Sequence, residues 1–217
     1  MSAQRLRSAR DAVDHLLLGA SDLDRGVVWL YERTGVRATI GGSHPGRGTR
    51  NALVALGGRQ YLEILAPDPA QPAGLRPDLV SLSEPRLITW AASSDDLPAL
   101  VRRSRDSGVT VSEPRDGSRA RPDGRLLKWR TVDADNAFEA NGISPVPFFI
   151  QWSPDTVHPS QESPAGCRLE RFALRHPTPG PLRAFLERFG IDAVIDEADA
   201  VGLEARLATP KGTLVLR

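Results

Sequence analysis

A histidine and a glutamate set in two apolar runs are the side chains of this chain best placed for chemistry: His15 in Asp14-His15-Leu16-Leu17-Leu18-Gly19 and Glu63 in Tyr61-Leu62-Glu63-Ile64-Leu65. An imidazole and a carboxylate presented by two rigid strands can share a divalent ion such as zinc, manganese, iron, cobalt or nickel, which takes nitrogen and oxygen donors from separate parts of a fold. Between them lies His44-Pro45-Gly46-Arg47-Gly48-Thr49-Arg50-Asn51, a loop dense in Gly and Pro. Its glycines let backbone approach a ligand, and Arg47 or Arg50 can grip a carboxylate or enolate with forked donors. Thr49 and Asn51 add neutral hydrogen bonds, and His44 adds an imidazole. The loop is no phosphate cradle, because no Lys-Ser/Thr pair follows and no helix opens after it. Trp90, Trp129, Phe148 and Trp152 can wall an apolar pocket or fill a core, and Trp90 is placed with the substrate-binding residues.

The elements that must position these groups recur. Val13 to Ala20 predicts a strand, Ser21 or Asp22 a helix cap, and Leu23, Val27, Leu30 and Tyr31 one helical face ending at Thr34-Gly35. A short strand over Arg37 to Gly41 and a hairpin of Asn51 to Leu56 with Gln60 to Leu65 complete a strand-helix-strand-strand-strand unit. The order returns in Leu87 to Ala92, a helix with Leu97, Leu100 and Val101, and strands at Val109 to Val111, Leu126 to Val132 and Val146 to Trp152. A third copy is read over Leu169 to Leu216, after a Pro-rich linker. The expected organisation is a loose leader over 1–10, a body over 11–154 with modules at about 11–70 and 85–154, a linker over 155–165, and an additional module over 166–217 packed on the body.

A chain of 217 residues, 40% of them hydrophobic, can bury an ordinary core. With 28 basic residues against 27 acidic and no long run of either sign, neither nucleic acid nor a membrane surface is expected as a partner. The single cysteine, Cys167, leaves no internal disulfide framework, and no signal peptide or spanning segment is read, so a cytoplasmic protein is expected.

The sequence resembles the glyoxalase-like proteins of the vicinal oxygen chelate superfamily. The match is carried by Asp14 to Leu23, Glu32-Arg33-Thr34-Gly35-Val36, Gly42 to Asn51, and Tyr61 to Pro69. It is fullest up to Pro69, weaker to Trp152, and one of element order alone beyond. The resemblance implies an α+β fold of repeated βαβββ modules forming curved, mixed or antiparallel sheets, pairing within one chain or across a homodimer. It also implies His15 and Glu63 as metal ligands. Their counterparts in the second module, Ile88 or Thr89 and the stretch Phe149-Ile150-Gln151, supply no secure ligand. A full set would draw on Gln151, Glu170, His44 or water. The implied function is a metalloenzyme acting on a small oxygen-rich molecule, of isomerase or lyase type, with Glu63 as ligand and proton acceptor. The alternatives are a metal-free protein that sequesters small molecules, and a ring-cleaving dioxygenase, which needs two histidines and one carboxylate on iron.

Overall fold

The structure, a computed structural model, describes residues 6–71 and 76–217; part of the expected leader, Met1 to Arg5, lies outside them. The described residues open on β1 (Arg7–Ser8) and α1 (Ala9–Ala12), overlapping the stretch that composition predicts as a loose leader. Order comes from tertiary partners: β1 pairs in parallel with Ile191–Asp192, and Ala9 and Ala12 are buried.

The first module follows as β2 (Val13–Gly19), α2 (Leu23–Thr34), β3 (Thr39–His44), β4 (Thr49–Ala55) and β5 (Tyr61–Pro67). Helix α2 begins where Asp22 accepts a hydrogen bond from the Arg25 amide and stops at Gly35, whose φ of 77° admits glycine without strain. After α3 (Pro77–Val80), the second module runs β6 (Arg86–Ser93), α4 (Leu97–Asp106), β7 (Arg115–Ala120), β8 (Leu126–Val132) and β9 (Phe148–Trp152). Strand β7 falls in a polar stretch and outside Val109 to Val111, where the sequence suggests a strand; Val111 makes only an isolated bridge to Ala134. An edge strand whose inward residues meet a cavity need not show apolar alternation.

The modules form one eight-stranded sheet in the order β3-β4-β5-β2-β6-β9-β8-β7. In each, the first strand lies parallel to the last, and β2 and β6 meet antiparallel at the centre. The sheet curls until its two edges approach. Arg119 of β7 donates to the carbonyl of Gly41 on β3, and a Cβ on Gly42 would stand 2.5 Å from the Ala120 oxygen. Only glycine permits that approach, and the φ of 136° at Gly42 adds the same requirement.

The rest of the chain is β10 (Arg168–His176), α5 (Pro179–Glu187), β11 (Ile191–Asp192), β12 (Ile195–Glu197), β13 (Gly202–Thr209) and β14 (Gly212–Leu216). The element order repeats that of the first two modules, but the pairing does not. The sheet runs β12-β10-β13-β14, so the first strand, β10, sits between β12 and β13 rather than beside the last. Its apolar face covers the back of the large sheet. Leu16, Leu18, Leu62, Ile64 and Trp90 join Leu23 and Leu30 of α2 and Phe172, Leu174, Leu203 and Leu207 in one contiguous core. Each such side chain contributes about 1.5–3 kcal/mol on burial. Among the described residues no helix is long and apolar enough to cross a membrane.

Candidate functional site

Strand alternation sends every second residue of the large sheet away from that core. Leu16 and Leu18 of β2, Leu62 and Ile64 of β5, and Ala52 and Val54 of β4 pack on the back. His15, Leu17, Tyr61, Glu63, Leu65, Thr49 and Asn51 therefore turn inward and line a cavity of about 430 Å³. Thr89, Arg115, Arg119, Trp129, Thr131, Phe148, Ile150 and Trp152 close it from the second module. The segment from His44 to Asn51 is a tight hairpin rather than a loop: His44 pairs with Thr49, Ser43 with Arg50 and Gly42 with Asn51, leaving Pro45 to Gly48 as the turn. His44, Arg47, Thr49 and Asn51 reach the cavity, whereas alternation turns Arg50 outward, 3.8 Å from Asp22.

Glu63 is buried at the centre of this cluster. Its Oε1 accepts a 2.8 Å hydrogen bond from Asn51 Nδ2 and lies 3.7 Å from His44 Nε2, and its Oε2 lies 3.4 Å from His15 Nε2. His44 Nδ1 lies 2.9 Å from the Thr49 hydroxyl. Burial, with the charges of Arg119 and Arg47, lowers the affinity of His44 for a proton against the opposing pull of Glu63, so its imidazole is held neutral.

Behind His15 stands a group that sequence reasoning missed. The pairing of β2 with β6 shifts register between Val13 and His15, a bulge that lets consecutive residues Asp14 and His15 meet side by side. Asp14 Oδ1 accepts from His15 Nδ1 at 2.8 Å, and Oδ2 accepts from His158 Nε2 at 3.2 Å and Trp152 Nε1 at 3.1 Å. Burial disfavours the carboxylate, but hydrogen bonds from the two imidazoles, and their charge, outweigh it and hold Asp14 at about 2. The anion fixes a proton on His15 Nδ1 and so aims Nε2 at Glu63. His158, read from sequence as a linker residue, is buried here, its Nδ1 accepting from the Ser160 amide.

Two glycines shape the walls. A Cβ on Gly41 would lie 2.3 Å from Asn51 Oδ1 and 2.7 Å from a guanidinium nitrogen of Arg119, and one on Gly117 would lie 2.4 Å from Trp129 Nε1. Burial weakens the hold of Arg119 on its proton while Glu63 and Tyr61 strengthen it; a guanidinium keeps its charge in either case. Tyr61 stacks on His15 with ring centres 4.5 Å apart, and burial together with Glu63 and Asp14 keeps its phenol protonated.

Trp90 belongs elsewhere. It is fully buried on the back face, 5.1 Å from the Phe172 ring, with its indole N–H on the Pro145 carbonyl. One step along β6, Thr89 is the residue that turns inward. Gln151 and Glu170, the other sources of a ligand set, are also remote: Gln151 accepts from the Leu97 amide and donates to the Asp95 carbonyl, and Glu170 pairs with Arg168 on β10.

His15 and Glu63 converge, but the donors around them do not complete a metal centre. Where a second pair would stand are Thr89, Phe148 and Ile150. His15 and His44 approach opposite oxygens of one carboxylate instead of a common point, and the guanidinium of Arg119 also bears on Glu63. Among the described residues no group of three or more His, Cys, Asp or Glu is placed to hold an ion. The cluster instead offers a buried carboxylate, a fixed imidazole and the cations Arg47 and Arg119. That is the equipment for proton transfer on an anionic molecule.

A family model described as glyoxalase-like domain matches residues 13–190. Among solved structures, a hypothetical protein from Staphylococcus aureus is similar with a TM-score of 0.67 and 18% identity, covering 94% of this chain and 84% of that one. Methylmalonyl-CoA epimerase from Mycobacterium tuberculosis aligns with a TM-score of 0.46 and 21% identity, over 71% of this chain and 94% of that one. No curated protein matches the chain.

Proposed function

We propose, from the premise that this chain belongs to the glyoxalase-like domain family, that its cavity binds a small oxygen-rich anion and that Glu63 moves a proton on it. The observation that carries this reading is the position of Glu63: buried in the cavity wall, held by Asn51 on one oxygen and facing the Asp14-oriented His15 with the other. Glu63 takes a proton from the carbon next to a carbonyl; the electron pair of the broken C–H bond forms the C=C bond of an enolate as the C=O π pair moves onto the carbonyl oxygen. Arg119, anchored on the Gly41 carbonyl, and Arg47 from the hairpin turn stabilise that oxyanion with their N–H donors. Return of the proton to a neighbouring atom gives an isomerase; loss of a leaving group gives a lyase.

The experiment is hydrogen exchange in D₂O, with pyruvate as a minimal probe and loss of its methyl protons followed by NMR. The reading expects exchange above the enzyme-free rate, abolished in Glu63→Gln with pyruvate binding retained. Binding without exchange in the wild type would overturn it in favour of the sequestration protein. Metal-assisted chemistry on His15 and Glu63, or an iron dioxygenase using both histidines, is the rival reading, supported by the convergence of His15 on Glu63. Elemental analysis of protein purified without chelator or metal-affinity resin decides. A stoichiometric ion that is lost in His15→Ala would favour the rival and contradict the ion-free account.

A further inference from the structure

The rings around the cavity form a continuous belt, and the belt starts at the imidazoles that contact Glu63. His44 meets Trp129 edge-on at 6.5 Å, Trp129 packs on Trp152 at 5.5 Å, and Trp152 meets His158 at 5.4 Å. On the other side His15 stacks on Tyr61 and meets Phe148 at 5.6 Å. Trp129, Phe148 and Trp152 come from β8 and β9, and each keeps part of its surface uncovered while lining the cavity. Three incompletely buried aromatic side chains facing one cavity leave unused apolar area that a flat ring can cover. The position of Trp129 is built in, because Gly117 leaves the space that its indole occupies. The polar end of the same cavity carries Arg47 and Arg119, and Arg47 has no acidic partner among the described residues.

We infer that the molecule bound here is an aryl-bearing carboxylate of the 2-oxo acid type, its ring on the Trp129, Trp152 and Phe148 wall and its anionic end at Arg47 and Arg119. This deepens the proton-transfer reading and rests on it for the orientation of the anionic end. In this orientation the carbon that joins ring and carbonyl sits next to Glu63, because His44, which meets Trp129 edge-on, lies 3.7 Å from the Glu63 carboxylate. Trp129 is then a specificity-determining residue.

The test is calorimetric binding of phenylpyruvate, 4-methyl-2-oxopentanoate and pyruvate to the full chain and to two variants, Trp129→Ala and Gly117→Ala. The wild type should prefer phenylpyruvate over the branched aliphatic acid by about tenfold. Trp129→Ala should erase the preference, lowering phenylpyruvate affinity by more than it lowers that of pyruvate. Gly117→Ala keeps the indole but displaces it, so it should reduce the preference in the same direction even if Trp129→Ala does not fold. Equal binding of phenylpyruvate and 4-methyl-2-oxopentanoate by the wild type overturns the inference, as does a preference that survives both variants. Glu63-dependent exchange of pyruvate protons is read separately, so aromatic selectivity can fail while proton transfer stands. Absence of exchange with aromatic binding intact would have the reverse meaning.

Discussion

Strands β2 to β5 and strands β6 to β9 follow the same course, first strand parallel to last, yet they turn different residues toward the cavity. Where β2 and β5 present His15 and Glu63, β6 and β9 present Thr89, Phe148 and Ile150. Outward residues of both halves answer to one shared core and are apolar alike. Inward residues face the cavity instead of that core, so the two halves can differ there without cost to the fold. The titratable half needs further support: Asp14 and Asn51 hold His15 and Glu63 in place, and Gly41 leaves room for Arg119, which reaches across from β7. The aromatic half needs shape, and Gly117 supplies it.

That division can be broken most strongly at Glu63. Glu63→Gln should lower exchange by about a hundred- to ten-thousand-fold, whereas Thr89→Val, at the opposite position, should change it only within a few-fold. The next largest effect is expected behind His15. Asp14→Ala leaves the N–H groups of His15, His158 and Trp152 buried without an acceptor, and should cost about 3–5 kcal/mol in urea unfolding. Gly41→Ala should cost about 1–3 kcal/mol and weaken anion binding, because its Cβ displaces both Asn51 and Arg119. Gly180→Ala, where a Cβ meets nothing within 4 Å, serves as the neutral control. The smallest effect is on pH dependence. The Asp14 carboxyl is depressed from 3.8 to about 2 in the folded state, so its contribution to stability is fully present above about pH 4 and is lost as pH falls toward 2. Melting curves of the wild type and Asp14→Asn should converge over that window.

Much of the first half was legible in the sequence. The apolar run around His15, the Asp22 cap, the Gly35 stop and the hairpin carrying Glu63 all rest on local chemistry, and α2, β2, β4 and β5 follow it closely. The residues that escaped notice depend on distant partners. Arg119 and Gly41 meet only because the sheet curls, Asp14 turns beside His15 through a bulge, and His158 arrives from a Pro-rich stretch that composition reads as a linker. Trp90, which the sequence groups with the substrate-binding residues, packs on Phe172 at the back of the sheet, and its apolar neighbours on β6 fit either register. The pairing of β10 to β14 could not be had from element order, which repeats while the hydrogen-bonding partners change.

Proton transfer rests on Glu63 of the first half, with Arg119 reaching across from β7, and aromatic selection rests on Trp129 of the second half. Steady-state exchange kinetics with phenylpyruvate, followed at its benzylic position in D₂O against the enzyme-free rate, measure both at once in Glu63→Gln and Trp129→Ala. Glu63→Gln should lose kcat with ligand affinity preserved, while Trp129→Ala should raise KM with kcat close to wild type. A Trp129→Ala enzyme that loses kcat, beside a Glu63→Gln enzyme that keeps it, would contradict the assignment.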